Sequence, residues 1–400
     1  MTDNTDAPAP ALQVEIRKGV DEFDPAVWDA CAGPGHPFVT HRFLHAVEES
    51  GSANDDSGWA PRHFAVTAED GRVLGVAPTY LKFHSYGEYV FDHGWAAAYE
   101  RAGGRYYPKL QSAAPFTPVT GPRLLVRNDL GPDDPSPDHV KAGLLAAMAQ
   151  TCDDAGLSSA HVTFPDGADF KACSAAGWLR RQGQQFHWRN EGYGNFDDFL
   201  AALSSRKRKT IRKEREKANA QGVRLHPLTG DAIKPEHWDA FYRFYLDTSD
   251  RKWGSAYLNR AFFTRIGETM ADDVLLVMGE IDGRWVCGAL NFIGEDALYG
   301  RNWGCLGDFA FLHFECCYYR AMDFAIERGI PTVEAGAQGP HKIQRGYMPT
   351  ATYSAHYIPN AGFRAAVERF LDDERRVVAR EMEALAEYAP FKRDAGEIAG

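Results

Sequence analysis

Two stretches of this 400-residue chain follow the same pattern, and that internal echo restricts the fold more than any other feature. In the first half, His63 to Thr67 and Val73 to Tyr80 flank Glu69-Asp70-Gly71-Arg72, which reads as strand, tight turn, strand. In the second half, Val274 to Glu280 and Trp285 to Phe292 flank Ile281-Asp282-Gly283-Arg284 in the same way. Further strand-like residues follow each hairpin, Glu88 to His93 and Ala297 to Trp303. A helix then closes on Gly plus an aliphatic residue, Gly156-Leu157 and Gly329-Ile330, where a left-handed cap belongs. Strands Ala160 to Phe164 and Thr332 to Ala335 come next. A repeat this long is a duplicated domain rather than a solenoid. The expectation is two α/β domains, 12–190 and 191–360, each a mixed sheet with helices packed on it.

Residues 361–400 are expected to form a helix and tail, because Phe363, Val367, Phe370, Leu371, Val377, Val378, Met382 and Leu385 make an apolar stripe at helical spacing. Another helical segment is expected over 196–220, where Phe196, Phe199, Leu200 and Leu203 precede a charged continuation. That continuation, Ser204 to Lys217, carries eight basic and two acidic residues in a chain whose formal charge is −11. The overall charge argues against a surface built for DNA, and the concentrated one makes a local anion site of Arg206, Lys207, Arg208, Lys209 and Arg212. Coenzyme phosphates, a carrier protein, tRNA or anionic lipid would all fit it. A solvated helix face is the plainer alternative.

The seven cysteines form no CxxC pair, so a disulfide framework and a zinc ribbon are not expected, nor is any metal site. MTDNTDAPAPAL reads as a loose polar tail without the pattern of a signal peptide, and no apolar run approaches the length of a membrane span. The expected location is the cytoplasm, with peripheral contact at the inner face of a membrane left open.

Three segments could carry chemistry. In Phe311 to Arg320, Glu315 and Tyr319 lie four apart and would share a helical face, whereas His313 and Glu315 would not. Either His313 or Glu315 could take a proton from an attacking amine. The vicinal thiols Cys316 and Cys317 read as packing residues. In Thr332 to Tyr347, a strand enters a Gly-rich loop carrying Gln338, His341, Lys342 and Arg345, which suits close backbone approach to a ligand together with anion contacts. The third segment is Phe91-Asp92-His93-Gly94-Trp95, where Asp92 and His93 on a strand end would point to opposite faces. Nucleophile-elbow, Walker, dinucleotide-fold and HExxH signatures do not occur.

The runs Asn195 to Leu200 with Arg206 to Glu214, Phe241 to Tyr245 with Arg251-Lys252-Trp253-Gly254, and His313 to Tyr319 with Gly336 to Tyr347 resemble a bacterial family of N-acyltransferases labelled peptidoglycan biosynthesis or recognition. The resemblance extends from about His36 to Phe370. That family is similar to the Fem-type aminoacyl ligases, whose fold is two tandem GNAT domains. The resemblance implies acyl transfer to an amine. It implies no tightly bound cofactor, the donor substrate being an acyl-CoA, an acyl carrier protein or an aminoacyl-tRNA. The phosphate-cradling loop of GNAT enzymes is not evident near Gly304 to Asp308, and Pro340 stands where the family motif has an acidic residue.

On this reading Glu315 or His341 is the proton acceptor, with His313 the weaker candidate. Arg301, Asn302, Trp303, Tyr319, Glu334, Gln338, Lys342, Arg345, Asp92 and His93 are candidate substrate contacts. A thioester donor is favoured, with an amphipathic or cell-envelope amine, such as a sphingoid base, as acceptor. The alternatives are an aminoacyl-tRNA-dependent ligase acting on a peptidoglycan precursor, or a non-catalytic module that binds the precursor.

Overall fold

The computed structural model describes residues 12–252, 256–336 and 339–392. The chain forms two compact units, each assembled from separated stretches: Met1–Phe116, Thr120–Arg181 and Tyr353–Asp372 in the first, Thr117–Val119, Gln182–Thr352 and Asp373–Gly400 in the second.

In the first unit, strands β1 (Gln13–Arg17), β3 (His63–Thr67), β4 (Val73–Ala77) and β7 (Leu125–Val126) pair antiparallel in that order. Residues 353–357 and strands β8 (Ala160–Thr163), β6 (Lys109–Ser112), β5 (Thr79–Lys82) and β2 (Trp59–Pro61) pair in a second series, in which β6 and β8 are parallel and the other pairs antiparallel. Helices α1 (Pro25–Ala32), α2 (His41–Glu49), α3 (His93–Arg101), α4 (Pro137–Asp154) and α5 (Gly167–Ala175) complete the unit. Val140, Leu144 and Met148, at helical spacing on α4, close a core over Phe64, Val66 and Leu74.

Two expectations need correction here. Val73 to Tyr80 is not one strand, because Pro78 separates β4 from β5 and the two halves pair in different sheets. Glu88 to His93 forms no strand; the chain turns at Asp92 and His93 opens α3.

The second unit begins in β9 (Leu179–Arg189) and continues through α6 (Phe196–Ala202), α7 (Ser205–Asn219), β10 (Arg224–Leu228), α8 (Pro235–Lys252), α9 (Arg260–Thr269), β11 (Val274–Ile281), β12 (Arg284–Ile293) and β13 (Ala297–Cys305). The helical segment expected over 196–220 is therefore two helices, broken at Leu203 and Ser204, where Leu203 adopts an extended backbone. After β13 come α10 (Leu312–Phe314), a π-helical turn (Glu315–Tyr319), α11 (Arg320–Arg328) and β14 (Thr332–Glu334). β15 (Met348–Tyr357) and α12 (Ala361–Ala386) end the described chain's regular elements.

The sheet order is β10-β11-β12-β13-β14-β9, antiparallel except for β13 and β14. In both units, then, an antiparallel series ends in a strand whose next neighbour runs parallel to it and follows a helix, as the internal echo implied. The β11–β12 turn has positive φ at both Asp282 (49°) and Gly283 (73°), the backbone that Asp-Gly supplies in a two-residue hairpin. Helix α8 crosses the sheet closely enough that a Cβ on Gly304 would stand 2.2 Å from the Phe244 carbonyl oxygen.

Among the described residues no helix is long and apolar enough to cross a membrane. All seven cysteines are free thiols.

Candidate active site

The second unit opens where β13 leaves β14. The parallel ladder lasts three pairs, Ala297 with Thr332, Leu298 with Val333 and Tyr299 with Glu334, after which β14 ends and β13 runs on to Cys305. On its other edge, β13 pairs Asn302 with Leu290 and Gly300 with Asn291, so Arg301 is an extra residue, a bulge that re-aims its side chain. A cavity of about 90 Å³ fills the gap, lined by Asn291, Arg301, Asn302, Trp303, His313 and Tyr318 among others. A second cavity of about 270 Å³ shares Trp303 and His313 and is bounded by Cys305, Gly307, Asp308 and Phe309.

The helix after β13 does not start as a regular α-helix. Phe311 caps it in the left-handed region at φ 63°, a conformation a bulky side chain adopts only under constraint. One short turn later, Glu315–Tyr319 is π-helical. π-Turns shift the register of side chains and recur at functional sites. Here the shift directs Cys317 and Tyr318 to the cavity while Glu315 and Tyr319 meet α7.

Side-chain contacts hold α7 against this turn, the helix that follows it and the loop carrying Arg345. The inward residues of α7 are Ile211, Glu214 and Ala218, with Arg215 half-buried beside them. Arg345 grips Glu214 through Nη2 to Oε1 at 2.8 Å and Nε to Oε2 at 3.1 Å, and the Tyr319 hydroxyl donates to the same carboxylate. Arg215 donates to both oxygens of Glu315, at 2.9 and 3.1 Å, and to Asp323. Arg320 Nε lies 3.0 Å from Glu315 as well.

Glu315 is fully buried with both oxygens bonded to guanidinium groups, an arrangement that ties α7 to this turn. Arg345 and Tyr319, expected to touch substrate, are spent on Glu214. Lys342 is buried, and its ammonium donates to the carbonyls of Ala335 and Gly336; burial lowers its pKa to about 8. It ties down the loop leaving β14.

His341 stays at the surface of the site, with Nε2 3.0 Å from the Tyr318 hydroxyl. Desolvation, with the charges of Arg345 and Lys342, holds its imidazole below the usual histidine range. His313 stands edge-on to Trp303 and Tyr318, with ring centroids 5.5 and 5.4 Å away, and lines both cavities. Arg301, Asn302 and Trp303 line the smaller one. Glu334 is buried at the end of β14, 3.9 Å from His187 Nδ1.

Gln338 lies outside the described residues, as do Trp253 and Gly254 of the motif runs. Asp92 and His93 belong to the first unit. Asp92 is buried between Lys109 and the Tyr106 hydroxyl (2.7 Å), and the Lys109 charge holds its carboxyl far below the ordinary range despite desolvation. His93 is exposed on α3.

Of the α7 cations, Arg212 pairs with Asp197 at 2.9 Å. Arg206, Lys207, Arg208, Lys209 and Lys213 make no ion pair among the described residues, and Arg206, Lys209 and Lys213 are exposed.

Sequence reasoning passed over Tyr318, Glu214 and Arg215. The first is hidden by the π-turn, since α-helical spacing pairs Glu315 with Tyr319 and leaves Tyr318 on another face. The other two read as members of a solvated charged face.

Comparison with known proteins places these features in context. The chain finds no match among curated proteins. FemX matches it in fold with a TM-score of 0.54 at 13% identity, over 89% of this chain and 100% of that one. The C-terminal domain of an Agrobacterium fabrum protein named for lysylphosphatidylglycerol synthesis matches with a TM-score of 0.53 at 10% identity, over 89% and 97%. The fold is thus that of FemX, here two compact α/β units and a long C-terminal helix. The FemAB-like family, described as peptidoglycan biosynthesis/recognition, matches residues 19–393, and the chain is a member of that family.

Proposed function

We propose that the protein is a Fem-type transferase that moves an aminoacyl group from aminoacyl-tRNA to an amine of a peptidoglycan precursor, at the opening between β13 and β14. The observation that carries the reading is Tyr318, which lines that opening with the bulged Arg301 and whose hydroxyl lies 3.0 Å from His341 Nε2. The acceptor nitrogen attacks the ester carbonyl and forms a C–N bond. Its proton passes through the Tyr318 hydroxyl to neutral His341, and the C–O bond to the ribose breaks as the leaving oxygen takes a proton back. Arg301 and Asn302, which line the smaller cavity, would meet the developing oxyanion.

The choice of donor rests on charge. The described lining of the 270 Å³ cavity, beside the loop where a GNAT coenzyme's diphosphate would sit, includes Asp308 and His313 but no Lys or Arg. The unpaired cations lie instead along α7, as a polyanion requires. Thermal unfolding with aminoacyl-tRNA, a long-chain acyl-CoA and acetyl-CoA tests this, because a ligand bound by the folded state raises the midpoint. A shift with aminoacyl-tRNA alone is expected. A shift with long-chain acyl-CoA alone would replace this donor with a thioester and the acceptor with an amphipathic amine.

A further inference from the structure

The transfer chemistry leaves a cluster of thiols unused. Cys287 on β12 and Cys305 on β13 are direct partners across the antiparallel ladder. In the adjoining pair, the Leu306 N–H donates to the Val286 carbonyl at 2.8 Å. Antiparallel pairs alternate between hydrogen-bonded and non-hydrogen-bonded, so Cys287 and Cys305 form a pair of the second kind, with side chains on one face and Cα atoms about 4.5 Å apart. That spacing lies inside the range of about 4.4–6.8 Å that a disulfide spans.

Packing brings the sulfurs together. On its other side Cys287 is paired with Gly279 of β11, where a Cβ would stand 2.4 Å from the Cys287 sulfur, so the missing side chain leaves room for the thiol. Cys316 of the π-helical turn lies in the same core cluster, and the Cys287 thiol hydrogen-bonds with those of both Cys305 and Cys316.

The three thiols differ in access. Cys287 and Cys316 are fully buried, whereas Cys305 is partly exposed and lines the cavity of about 270 Å³. The hydrogen bond with Cys305 lowers the Cys287 pKa, but contact with Cys316 and burial outweigh it and leave this thiol well above its ordinary range. Burial raises that of Cys316 as well. A cysteine reacts as its thiolate and only where a reactant can reach it, so Cys305 is the member of the cluster that meets a soluble oxidant first.

We infer that Cys305 is a peroxide-oxidised modification site and Cys287 its resolving partner, the two closing into a cross-strand disulfide beside the candidate active site. The Cys305 sulfur attacks a peroxide oxygen; an S–O bond forms, the O–O bond breaks, and the leaving hydroxide departs as water with the thiol proton. The Cys287 sulfur then attacks the sulfenic sulfur. An S–S bond forms, the S–O bond breaks, and the hydroxyl leaves as a second water with the Cys287 proton. Two thiols give up two electrons and one hydrogen peroxide is reduced to two waters. Trp303, on the same strand, and His313 line the cavity with Cys305, so the modification falls on the wall that the candidate site shares.

The test treats the full-length protein with hydrogen peroxide, alkylates the remaining thiols under denaturing conditions and maps the peptides by mass spectrometry. The expected result is loss of two of the seven thiols, with one peptide pair joined through Cys287 and Cys305 that dithiothreitol separates. In Cys287→Ser, Cys305 should stop at the sulfenic acid and take up dimedone. Cys316→Ala should keep the disulfide, and Cys305→Ser should lose it. The peptide map of the wild-type chain decides the pairing whether or not a variant folds. A Cys287–Cys316 link would overturn the inference, as would oxidation confined to Cys317. Seven intact thiols at a peroxide dose that fully oxidises glutathione would also overturn it. None of these readouts involves acyl transfer, so their failure is separable from failure of the proposed function.

Discussion

Arg345 and Glu214, 131 residues apart in sequence, face each other through two parallel hydrogen bonds of 2.8 and 3.1 Å in a nearly dry environment. This pair joins the loop after β14 to α7, so the element carrying the free cations is positioned by one that borders the chemistry. Removing one partner leaves a buried charge without its counter-ion, which costs about 3–5 kcal/mol. Arg345→Met should therefore lower unfolding stability by that amount. The double variant with Glu214→Leu should recover most of the loss, a coupling that urea unfolding of the four-member mutant cycle would measure.

Glu315→Gln separates anchoring from catalysis. The amide keeps the volume but loses the charge between Arg215 and Arg320, so stability should fall by a few kcal/mol. Turnover of the folded fraction should keep its pH profile. A profile whose acid limb disappears in this variant would return the proton-acceptor role to Glu315.

On the proposed function, the acid limb belongs to His341. Its pKa is lowered, so the neutral, proton-accepting form persists below pH 6.5 and turnover should fall only at more acid pH. Tyr318→Phe and His341→Gln should each reduce kcat by about 10²–10⁴-fold, the usual contribution of a positioned acid or base, and His341→Gln should remove the limb. Initial rates across pH 4.5–8 in the three proteins decide this.

Stability should also respond to acid. Burial holds His36, His161 and His187 at about 3, and His356 well below the ordinary range. Between pH 6.5 and 3 the unfolded chain binds protons at these rings that the folded chain refuses. Their neutral state thus leaves stability undiminished above pH 6.5, and stability declines as pH drops toward 3. The slope is about 1.4 kcal/mol per pH unit for each ring fully within its window. Urea midpoints that stay level from pH 7.5 to 4.5 would contradict the burial of these rings.

If α7 holds a tRNA backbone, its cations act additively through counterion release. Lys209→Gln and Lys213→Gln should each flatten the log–log dependence of affinity on salt by about 0.7–0.9, with little change in fold because both side chains are exposed. An unchanged slope in the double variant would place the polyanion elsewhere.

Turn chemistry and helix endings were legible in the sequence because they depend on a few adjacent residues. Asp282-Gly283 makes its turn, Gly156 and Gly329 close their helices with positive φ, and the strand–helix–parallel strand order recurs in each unit. The motif runs likewise carried the family. Tertiary structure decided which of the site's charges remain available to a substrate. Glu315, Arg345 and Lys342 all carry chemistry-bearing groups at promising positions, yet each is consumed by a partner that folding brings to it: Arg215 and Arg320, Glu214, and two loop carbonyls. A buried charge must be paired or hydrogen-bonded, and its partner here is set by how α7 and the loop pack, not by neighbours along the chain. The π-turn is the same lesson at short range, since its register, which α-helical spacing does not show, puts Tyr318 rather than Tyr319 on the cavity.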